Sequence, residues 1–314
     1  MLAEQIRSGA VETTHHGAVA IVDRHGQLVA HTGDIARPFF FRSAAKPFQA
    51  AMSQAHGAGL RPEELALASA SHDGEAVHLA LVESMLADAG LSETDLRCPP
   101  DWPIRPAAGR RLAGRGEREP RRLFHNCSGK HAAMLRASLA SGWPLDTYHR
   151  PDHQLQNAIF EFMAEVAGVD KMVGIDGCGV PVFLTNTLGM ARAFARLAVE
   201  QALADVFSAI HSYPGLVSGV ANADAAISRH LDAAAKRGAM GTMGVAVRQR
   251  FGLAVKCWDG SDRVAGVAAI GALDELRVVS VVANDRLEPF RRPLVYGGED
   301  PVGALESRLE LKWS

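Results

Sequence analysis

A serine and a lysine stand three residues apart in the segment Arg42–Lys46 (RSAAK), which begins a stretch with helical spacing. Side chains three residues apart on a helix lie on one face, so this pair can form a hydrogen bond. A lysine whose pKa is lowered by burial and by neighbouring cations can take the serine proton and create a nucleophile. The helix N-terminus adds a favourable field for the resulting anion. The same pattern also describes a surface lysine beside a serine that caps the helix.

Two further segments carry cysteines in small, polar surroundings. His125–His131 (HNCSGKH) precedes an apolar helical stretch, and Asp176–Pro181 (DGCGVP) holds a cysteine in a glycine-flanked turn. Two thiolates with one or two nitrogen ligands from elsewhere would form a tetrahedral zinc site. Neither cysteine belongs to a Cys-x-x-Cys pair, so the spacing alone favours two buried, unreactive cysteines over a metal site.

Two more segments carry polar residues in unusual places. Ser69–Glu75 (SASHDGE) lies between two helical stretches and is either a capping turn or part of a site. Ala254–Gly260 (AVKCWDG) places a lysine near the end of an apolar strand. Such a lysine either reaches the sheet edge with its ammonium group or has a buried role.

Composition excludes several classes of protein. The formal net charge is −2 and the pI is about 6.7, so no overall field attracts nucleic acid or an anionic membrane. The arginine-rich segment 105–122 lacks interleaved aromatic residues and predicts a solvated loop. No long apolar run predicts a membrane span, and the mixed N-terminus argues against a secretory signal. Four cysteines in 314 residues favour a reducing, cytoplasmic location.

The hydrophobic pattern predicts strands at both ends of the chain and helices between them. Apolar runs at 17–23 and 27–31 predict a hairpin. Helical spacing is found at 43–56, 75–89, 130–140, 154–167, 188–210 and 219–236. Three later runs, 245–258, 263–273 and 276–283, predict strands. The expected architecture is an α/β sheet domain from residues 1–60 and 215–314, beside a mainly helical domain from residues 61–214 that carries the Cys127 and Cys178 segments.

Taken together, the five polar segments resemble the rhizobial-type L-asparaginase family. The resemblance extends from about Gly17 to Ala283 in matching order and is carried most strongly by Asn126–His131 and Asp176–Pro181. Arg42–Pro47, Ser71–Glu75 and Tyr213–Gly219 agree as well. The resemblance implies a fold similar to serine β-lactamases and penicillin-binding proteins, with a mixed sheet from both chain ends beside a mainly helical lobe. It also implies hydrolysis of L-asparagine to L-aspartate and ammonia.

The resemblance implies roles for individual residues. Ser43 and Lys46 would be the nucleophile and its base, and attack on the amide would give a covalent acyl-enzyme. Ser71 and Lys256 would form a second pair that passes a proton to departing ammonia and then activates water. Backbone N–H groups, that of Ser43 among them, would stabilise the oxyanion.

The resemblance also implies zinc as a cofactor, with Cys127, Lys130 and Cys178 as ligands and solvent completing the shell. Four more residues would bind or orient the substrate: Arg42, His72, His131 and Asp176. Arg42 either holds the substrate carboxylate or forms a plain salt bridge. The expected partner is the small-molecule substrate alone, without nucleic acid or membrane, and the expected assembly is a homodimer.

Two departures from the family pattern lie beside these residues. Asp73 stands where we expect a small neutral residue, and Cys257-Trp258-Asp259 replaces a smaller stretch that ends in Glu-Gly. Alternatives therefore stay open: a related amidohydrolase, a penicillin-binding-like serine hydrolase, or a non-catalytic zinc-containing protein that binds an amino acid. Asparagine and glutamine differ by one methylene, which a pocket distinguishes by only about 1–3 kcal/mol.

Overall fold

Strands from both chain ends surround a helical middle section in the computed structural model, which describes residues 1–170 and 172–314. The described strands are β1 Ala3–Arg7, β2 Ala10–His15, β3 Gly17–Asp23, β4 Leu28–Thr32, β5 Phe39–Phe40, β6 Met172–Ile175, β7 Pro181–Thr185, β8 Ala233–Gly238, β9 Thr242–Val247, β10 Phe251–Cys257, β11 Leu294–Gly297, β12 Asp300–Ser307 and β13 Lys312–Trp313.

The helices fill the space between these strands. They are α1 Lys46–Ala55, α2 Pro62–Ala68, α3 Ala76–Ala87, α4 Pro106–Gly114, α5 Ser128–Ala140, α6 Gln154–Ala167, α7 Thr187–Val199, α8 Ala204–Ser212, α9 Pro214–Ser218, α10 Ala223–His230, α11 Asp262–Glu275 and α12 Val281–Arg291. Short 3₁₀ turns at Arg42–Ala45, Glu93–Asp95 and Gln201–Leu203 complete the described helical structure. No helix within the described ranges is long and apolar enough to cross a membrane.

The largest sheet among the described residues has six strands in the order β13-β4-β3-β10-β9-β8. The central neighbours β3 and β10 run antiparallel, with Gly17 opposite Cys257 and Asp23 opposite Phe251. The sheet is therefore built from both chain ends, as the sequence predicted. Every pairing between described strands is antiparallel, however, which corrects the expectation of a mixed sheet.

Strand alternation divides the core into two layers, one on each face of this sheet. Ala254 of β10 faces the core that contains most of the helices, whereas its neighbours Leu253 and Val255 face a second core under α11 and α12. Glycine brings α7 close to the first face, because a Cβ at Gly252 would overlap the backbone of Ala191. On edge strand β8, Lys236 points to the same face as Ala234, toward the helical core.

Two predicted strands are wrong, because residues 263–273 and 276–283 contribute to helices α11 and α12. The first run is buried on nearly every side, and periodicity does not separate such a helix from a buried strand. Its N-cap is Ser261, whose side chain accepts a hydrogen bond from the N–H of Val264. The arginine-rich segment, expected to be a loop, contains helix α4.

Three other predicted elements break into pieces. The predicted helix 219–236 ends at His230 and continues as strand β8, because the alanine-rich stretch pairs with β9 in spite of its helix propensity. The predicted helix 188–210 is interrupted after Val199, and the predicted strand 245–258 turns back between β9 and β10. Strands β1 and β12, both from the predicted sheet domain, pair in a smaller sheet. Strand β5 pairs with β7 of the predicted helical domain, and helix α7 of that domain packs on the central sheet, so the two predicted domains are joined by a shared sheet. The proposed boundaries at residues 61 and 214 stay a prediction.

Candidate active site

Ser43 lies in the 3₁₀ turn that leads directly into α1, so its side chain and that of Lys46 share one face, one turn apart. Strand β8 packs against this turn, and a Cβ at Gly238 would lie 3.0 Å from the nitrogen of Ala44. Arg42 has a φ of 52°, a left-handed conformation that is rare outside glycine. A residue keeps such a strained conformation only when the surrounding structure holds it in place, and residues of this kind are common at functional sites.

Lys46 and Ser71 meet in the interior. The Lys46 side chain is 1% exposed, and its Nζ donates hydrogen bonds to the carbonyl of Ala70 at 2.5 Å and to Ser71 Oγ at 2.9 Å. The backbone N–H of Ser71 donates to the carbonyl of Val217 at 2.9 Å, which fixes the serine from the side of α9. The structure therefore brings together two of the four predicted catalytic residues, Lys46 and Ser71, and Ser43 precedes Lys46 by one turn.

The fourth predicted residue, Lys256, lies elsewhere. Its Nζ donates to the carbonyls of Met240 and Cys257, and no hydrogen bond to Ser71 is found among the described residues. Lys236 takes that place instead, with its Nζ 3.4 Å from Ser71 Oγ. The prediction that Lys256 faces Ser71 is thus corrected to Lys236.

A signal for Lys236 was present in the sequence. Lys236-Arg237-Gly238 has the Lys-x-Gly spacing of the Lys-Thr-Gly motif, which accompanies Ser-x-x-Lys in β-lactamases. The predicted helix 219–236 concealed it, because that helix would place Lys236 at a helix end and not on an edge strand.

The environment of Lys236 favours its neutral form. Complete burial lowers the pKa of Lys236 to about 7, against the opposing charge of Asp224. Asp224 Oδ2 lies 3.9 Å from the ammonium nitrogen, and both side chains are fully buried. The other close contact of Lys236 Nζ is the carbonyl of Arg237 at 2.7 Å. Lys236 can therefore accept or release a proton near neutral pH.

These contacts place a hydroxyl group between two amines. Ser71 Oγ accepts a hydrogen bond from Lys46 and another from Lys236, and it can donate its own proton to Lys236 when that amine is neutral. Ser43 is partly exposed, and its Oγ makes no hydrogen bond to another side chain in the described part of the chain. The arrangement combines an accessible hydroxyl with a buried route for protons.

Cys127, Lys130 and Cys178 also come together. Lys130 Nζ lies 3.2 Å from Cys178 Sγ, and all three side chains are buried. A hydrogen bond from the Cys127 thiol lowers the pKa of Cys178 well below its usual value. The same bond, with burial, raises the pKa of Cys127. Two sulfur donors and one amine match the ligand preferences of zinc, so these residues fit the metal that the resemblance implies.

His131 lies directly behind the cysteine pair. Its Nδ1 is 2.6 Å from Tyr148 Oη, which in turn accepts a hydrogen bond from the N–H of Arg97. The phenol can donate its proton to His131 Nδ1 while it accepts from Arg97. Burial lowers the pKa of His131 to about 4, with Cys178 acting in the opposite direction. The imidazole is therefore neutral and positions the sulfur cluster, while no contact directs it toward Ser43.

Arg42 and Asp176 form an ion pair, Nε to Oδ1, at 2.9 Å. Of the two possibilities for Arg42, the structure contains the salt bridge, although 30% of its side chain remains exposed. The pair links the residue before Ser43 to the turn that carries Cys178. The turn that carries Ser43 and the turn that carries Cys178 are thus joined by one charged contact.

His72 uses both ring nitrogens within the protein. Nδ1 accepts from the N–H of Gly74 at 3.2 Å, and Nε2 is 2.9 Å from Ser128 Oγ, which donates to the carbonyl of Leu123. Burial holds the pKa of His72 well below its ordinary value. This fully buried residue therefore orients the segment that carries Ser71, and its predicted contact with substrate has no support in the geometry.

Asp73, the first departure from the family pattern, is buried beside this segment. Burial raises the pKa of Asp73, while Arg237 and Arg105 oppose the shift. Its Oδ2 lies 3.7 Å from Arg105 Nη1. Gly219 packs directly on this carboxylate, and a Cβ there would overlap it. The end of the segment Tyr213–Gly219 therefore packs closely against the Asp73 carboxylate.

Comparison with known proteins identifies one family. The model described as L-asparaginase II matches residues 3–307. No curated protein sequence is significantly similar to this chain.

Solved structures show distant likeness only. A Bacillus glutaminase is 12% identical with a TM-score of 0.47, over 83% of this chain and 91% of that one. A probable glutaminase, ybaS, is 15% identical with a TM-score of 0.44, over 81% of this chain and 85% of that one. Native Mglu is 16% identical with a TM-score of 0.38, over 83% of this chain, which spans only 64% of the Mglu chain. Scores this low carry no argument about function.

Proposed function

Because this chain belongs to the L-asparaginase II family, it is an amidohydrolase, and we propose that it hydrolyses L-asparagine to L-aspartate and ammonia. The observation that carries the proposal is Ser71, whose hydroxyl contacts the buried amines of Lys46 and Lys236, one turn of chain after Ser43 in the case of Lys46. We also assign the chain the serine β-lactamase-like fold. Its support is the Ser-x-x-Lys turn packed against an edge strand with Lys-x-Gly spacing.

The proposed reaction proceeds through an ester. Lys46 takes the proton of Ser43, whose Oγ attacks the side-chain amide carbon of asparagine. The carbonyl oxygen becomes an oxyanion, which the backbone N–H of Ser43 stabilises; one such donor is typically worth about 3 kcal/mol. The C–N bond then breaks, and the departing nitrogen receives a proton through Ser71. Ammonia leaves, and an aspartyl ester remains on Ser43.

Water completes the cycle. A water molecule loses a proton to the Lys46–Ser71–Lys236 relay and attacks the ester carbon, which releases aspartate and restores the Ser43 hydroxyl. Lys236 suits this role because burial lowers its pKa to about 7. Lys236 therefore replaces Lys256 in the mechanism that the sequence predicted.

Cys127, Lys130 and Cys178 are the residues that would hold zinc. When bound, zinc would supply a Lewis acid that polarises carbonyl oxygens and would fix the turn around Cys178. Of the chain's own groups, Arg42 would bind the substrate carboxylate through the part of its side chain that remains exposed beyond Asp176. His131 and Asp176 would orient the ligands and Arg42. Homodimer formation and a cytoplasmic location stay predictions.

The test is ammonia release from L-asparagine and L-glutamine by the purified protein and its variants. We expect Ser43→Ala to reduce turnover by at least about 10³-fold, because removing a covalent nucleophile leaves only binding and oxyanion stabilisation. Ser208→Ala, an exposed serine on α8, is the matched control and is expected to retain full activity. Full activity in Ser43→Ala, with no acyl-enzyme detected by mass spectrometry, would refute the assignment. Turnover of glutamine alone would refute the proposed substrate.

A further inference from the structure

A second cluster of metal-binding side chains lies on the opposite face of the central sheet. Cys257 ends β10 and faces the core under α11, whereas its neighbour Lys256 faces the helical core. His15 ends β2, and Asp259 lies in the turn after β10. Backbone contacts join these segments. Cys257 of β10 pairs with Gly17 of β3, and the N–H of Trp258 donates to the carbonyl of His16 at 2.9 Å.

The three side chains converge on a single point. His15 Nδ1 is 2.6 Å from Asp259 Oδ2, and Cys257 Sγ is 3.0 Å from Asp259 Oδ1. One ligand atom from each residue lies within 4.8 Å of the others. A tetrahedral ion with bonds of about 2.0–2.3 Å separates its ligands by about 3.3–3.8 Å, so only small shifts would admit it.

Exposure of the cluster suits a site that exchanges its ion. Cys257 is buried, whereas the His15 side chain is 18% exposed and that of Asp259 is 44% exposed. The cluster thus has a buried sulfur at its base and a carboxylate at its mouth. Solvent can reach the carboxylate side and supply a fourth ligand, which leaves an open coordination position.

Neighbouring groups already orient two of the three donors. Thr13 Oγ1 lies 3.1 Å from His15 Nε2, so this hydroxyl can accept the Nε2 proton, and Nδ1 is the ring nitrogen that faces the ion. The backbone N–H of Ser261 donates to Asp259 Oδ1 at 2.9 Å. Partners of this kind fix ring and carboxylate directions in zinc sites.

We propose that His15, Cys257 and Asp259 form a second metal site, which binds a divalent ion of the zinc type. Binding forms one bond each to sulfur, nitrogen and oxygen. The Cys257 thiol proton and the proton shared between His15 and Asp259 pass to solvent, and no electron is transferred. The ion competes with the Cys257 thiol proton, so binding should weaken as the pH falls.

The site has a structural route to the serine turn. The bound ion would fix the turn that carries Trp258, whose ring lies edge-on to Phe39 at 6.4 Å and under the guanidinium of Arg37 at 4.3 Å. Phe39 lies in β5, four residues before Ser43. Occupancy would therefore stiffen the wall next to the nucleophile without contacting it.

The experiment is a titration of the metal-stripped full chain with Co²⁺, in which binding is measured by thiolate-to-cobalt charge-transfer absorbance and by tryptophan fluorescence. Zinc content after dialysis is measured in parallel. We expect two bound equivalents in the original chain. Cys257→Ser and Asp259→Asn should each lose one bound equivalent, or bind it at least about 10-fold more weakly. Changing a residue that only hydrogen-bonds to a metal ligand already lowers metal affinity by about that factor. The control Asp300→Asn, an exposed carboxylate on β12, should retain both.

Cys178→Ser separates the two sites, because it removes a ligand of the other cluster only. The proposal is supported if Cys178→Ser keeps the ion at the His15, Cys257 and Asp259 site, and Cys257→Ser loses that ion while it keeps the ion at the Cys127 cluster. The proposal is overturned if Cys257→Ser and Asp259→Asn bind as many equivalents, and as tightly, as the original chain, or if the original chain binds no ion. If Cys178→Ser fails to fold by circular dichroism, the comparison of Cys257→Ser with the original chain decides alone.

Discussion

Replacing Asp224 by asparagine isolates the electrostatic control of Lys236. Asp224 is fully buried, and its Oδ2 lies 3.9 Å from Lys236 Nζ. Asn is nearly isosteric and retains an oxygen that can accept from Ser218 Oγ, which is 2.7 Å from Oδ1. The substitution therefore removes a negative charge beside the lysine with little change in volume.

The expected shift follows from this distance. Two unit charges 3.9 Å apart interact by about 4 kcal/mol at an effective dielectric constant of about 20, equivalent to about 3 pKa units. Arg237 Nε also lies 3.9 Å from Asp224 and shares its charge, so we expect one to three units. The pKa of Lys236, already lowered to about 7 by burial, should fall further. Lost hydrogen bonding to the N–H of Arg237 should reduce the free energy of unfolding by about 1–3 kcal/mol.

The direction of the change in activity follows from the protonation state that Lys236 needs to accept a proton. Lys236 accepts a proton only when neutral, so kcat/KM should decline as pH falls through its pKa. In Asp224→Asn the neutral form persists to lower pH, and this acid limb should move down by the same one to three units. The assay is kcat/KM for asparagine between about pH 5 and about pH 9, with folding checked by circular dichroism at each end.

Asp232→Asn is the matched control, because Asp232 is exposed and pairs with Arg248 on the surface. Its acid limb should coincide with that of the original chain. An unmoved limb in folded Asp224→Asn would refute the reasoning, and so would an unchanged limb in Lys236→Met.

Three further predictions follow from the same contacts. Lys46→Met should lower kcat by about 10²–10⁴-fold. Lys256→Met removes only hydrogen bonds to two carbonyls, so it should lower kcat by less than about 10-fold. Equal losses of kcat in steady-state assays would contradict the corrected assignment. Gly219→Ala should reduce the free energy of unfolding in urea by more than about 3 kcal/mol, because its φ is 74° and its Cβ would overlap Asp73. Gly142→Ala, with a φ of 67° and nothing within 4 Å, should cost only about 1 kcal/mol, and similar losses at both positions would show that the Asp73 contact is unimportant. Prolonged dialysis against a chelator, or Cys178→Ser, should remove zinc from the Cys127 cluster and lower the melting temperature, as measured by elemental analysis and calorimetry. If Cys178→Ser retains one equivalent of zinc more than Cys257→Ser does, Cys178 is not a ligand.

The sequence alone was sufficient for chemistry that depends on short spacing. Ser43 and Lys46 share a face because one helical turn joins them, and Cys127 and Lys130 do so for the same reason at the start of α5. The hairpin at β3 and β4 and helix α6 were also predicted, the helix at its observed bounds, since their periodicity is strong. Family membership followed from the order of such local motifs.

Only the tertiary structure decided which distant groups meet. Lys236 and Ser71 are 165 positions apart, and their contact depends on β8 pairing with β9 and on the face that Lys236 then occupies. An alanine-rich stretch has no local preference for that strand, because its β conformation comes from pairing and burial. Lys256 was plausible by type and faces the same core as Lys236, yet it lies on β10, two strands away from β8, and donates there to the carbonyls of Met240 and Cys257. Local residue spacing determines which side chains share an element, whereas long-range packing determines which elements share a site.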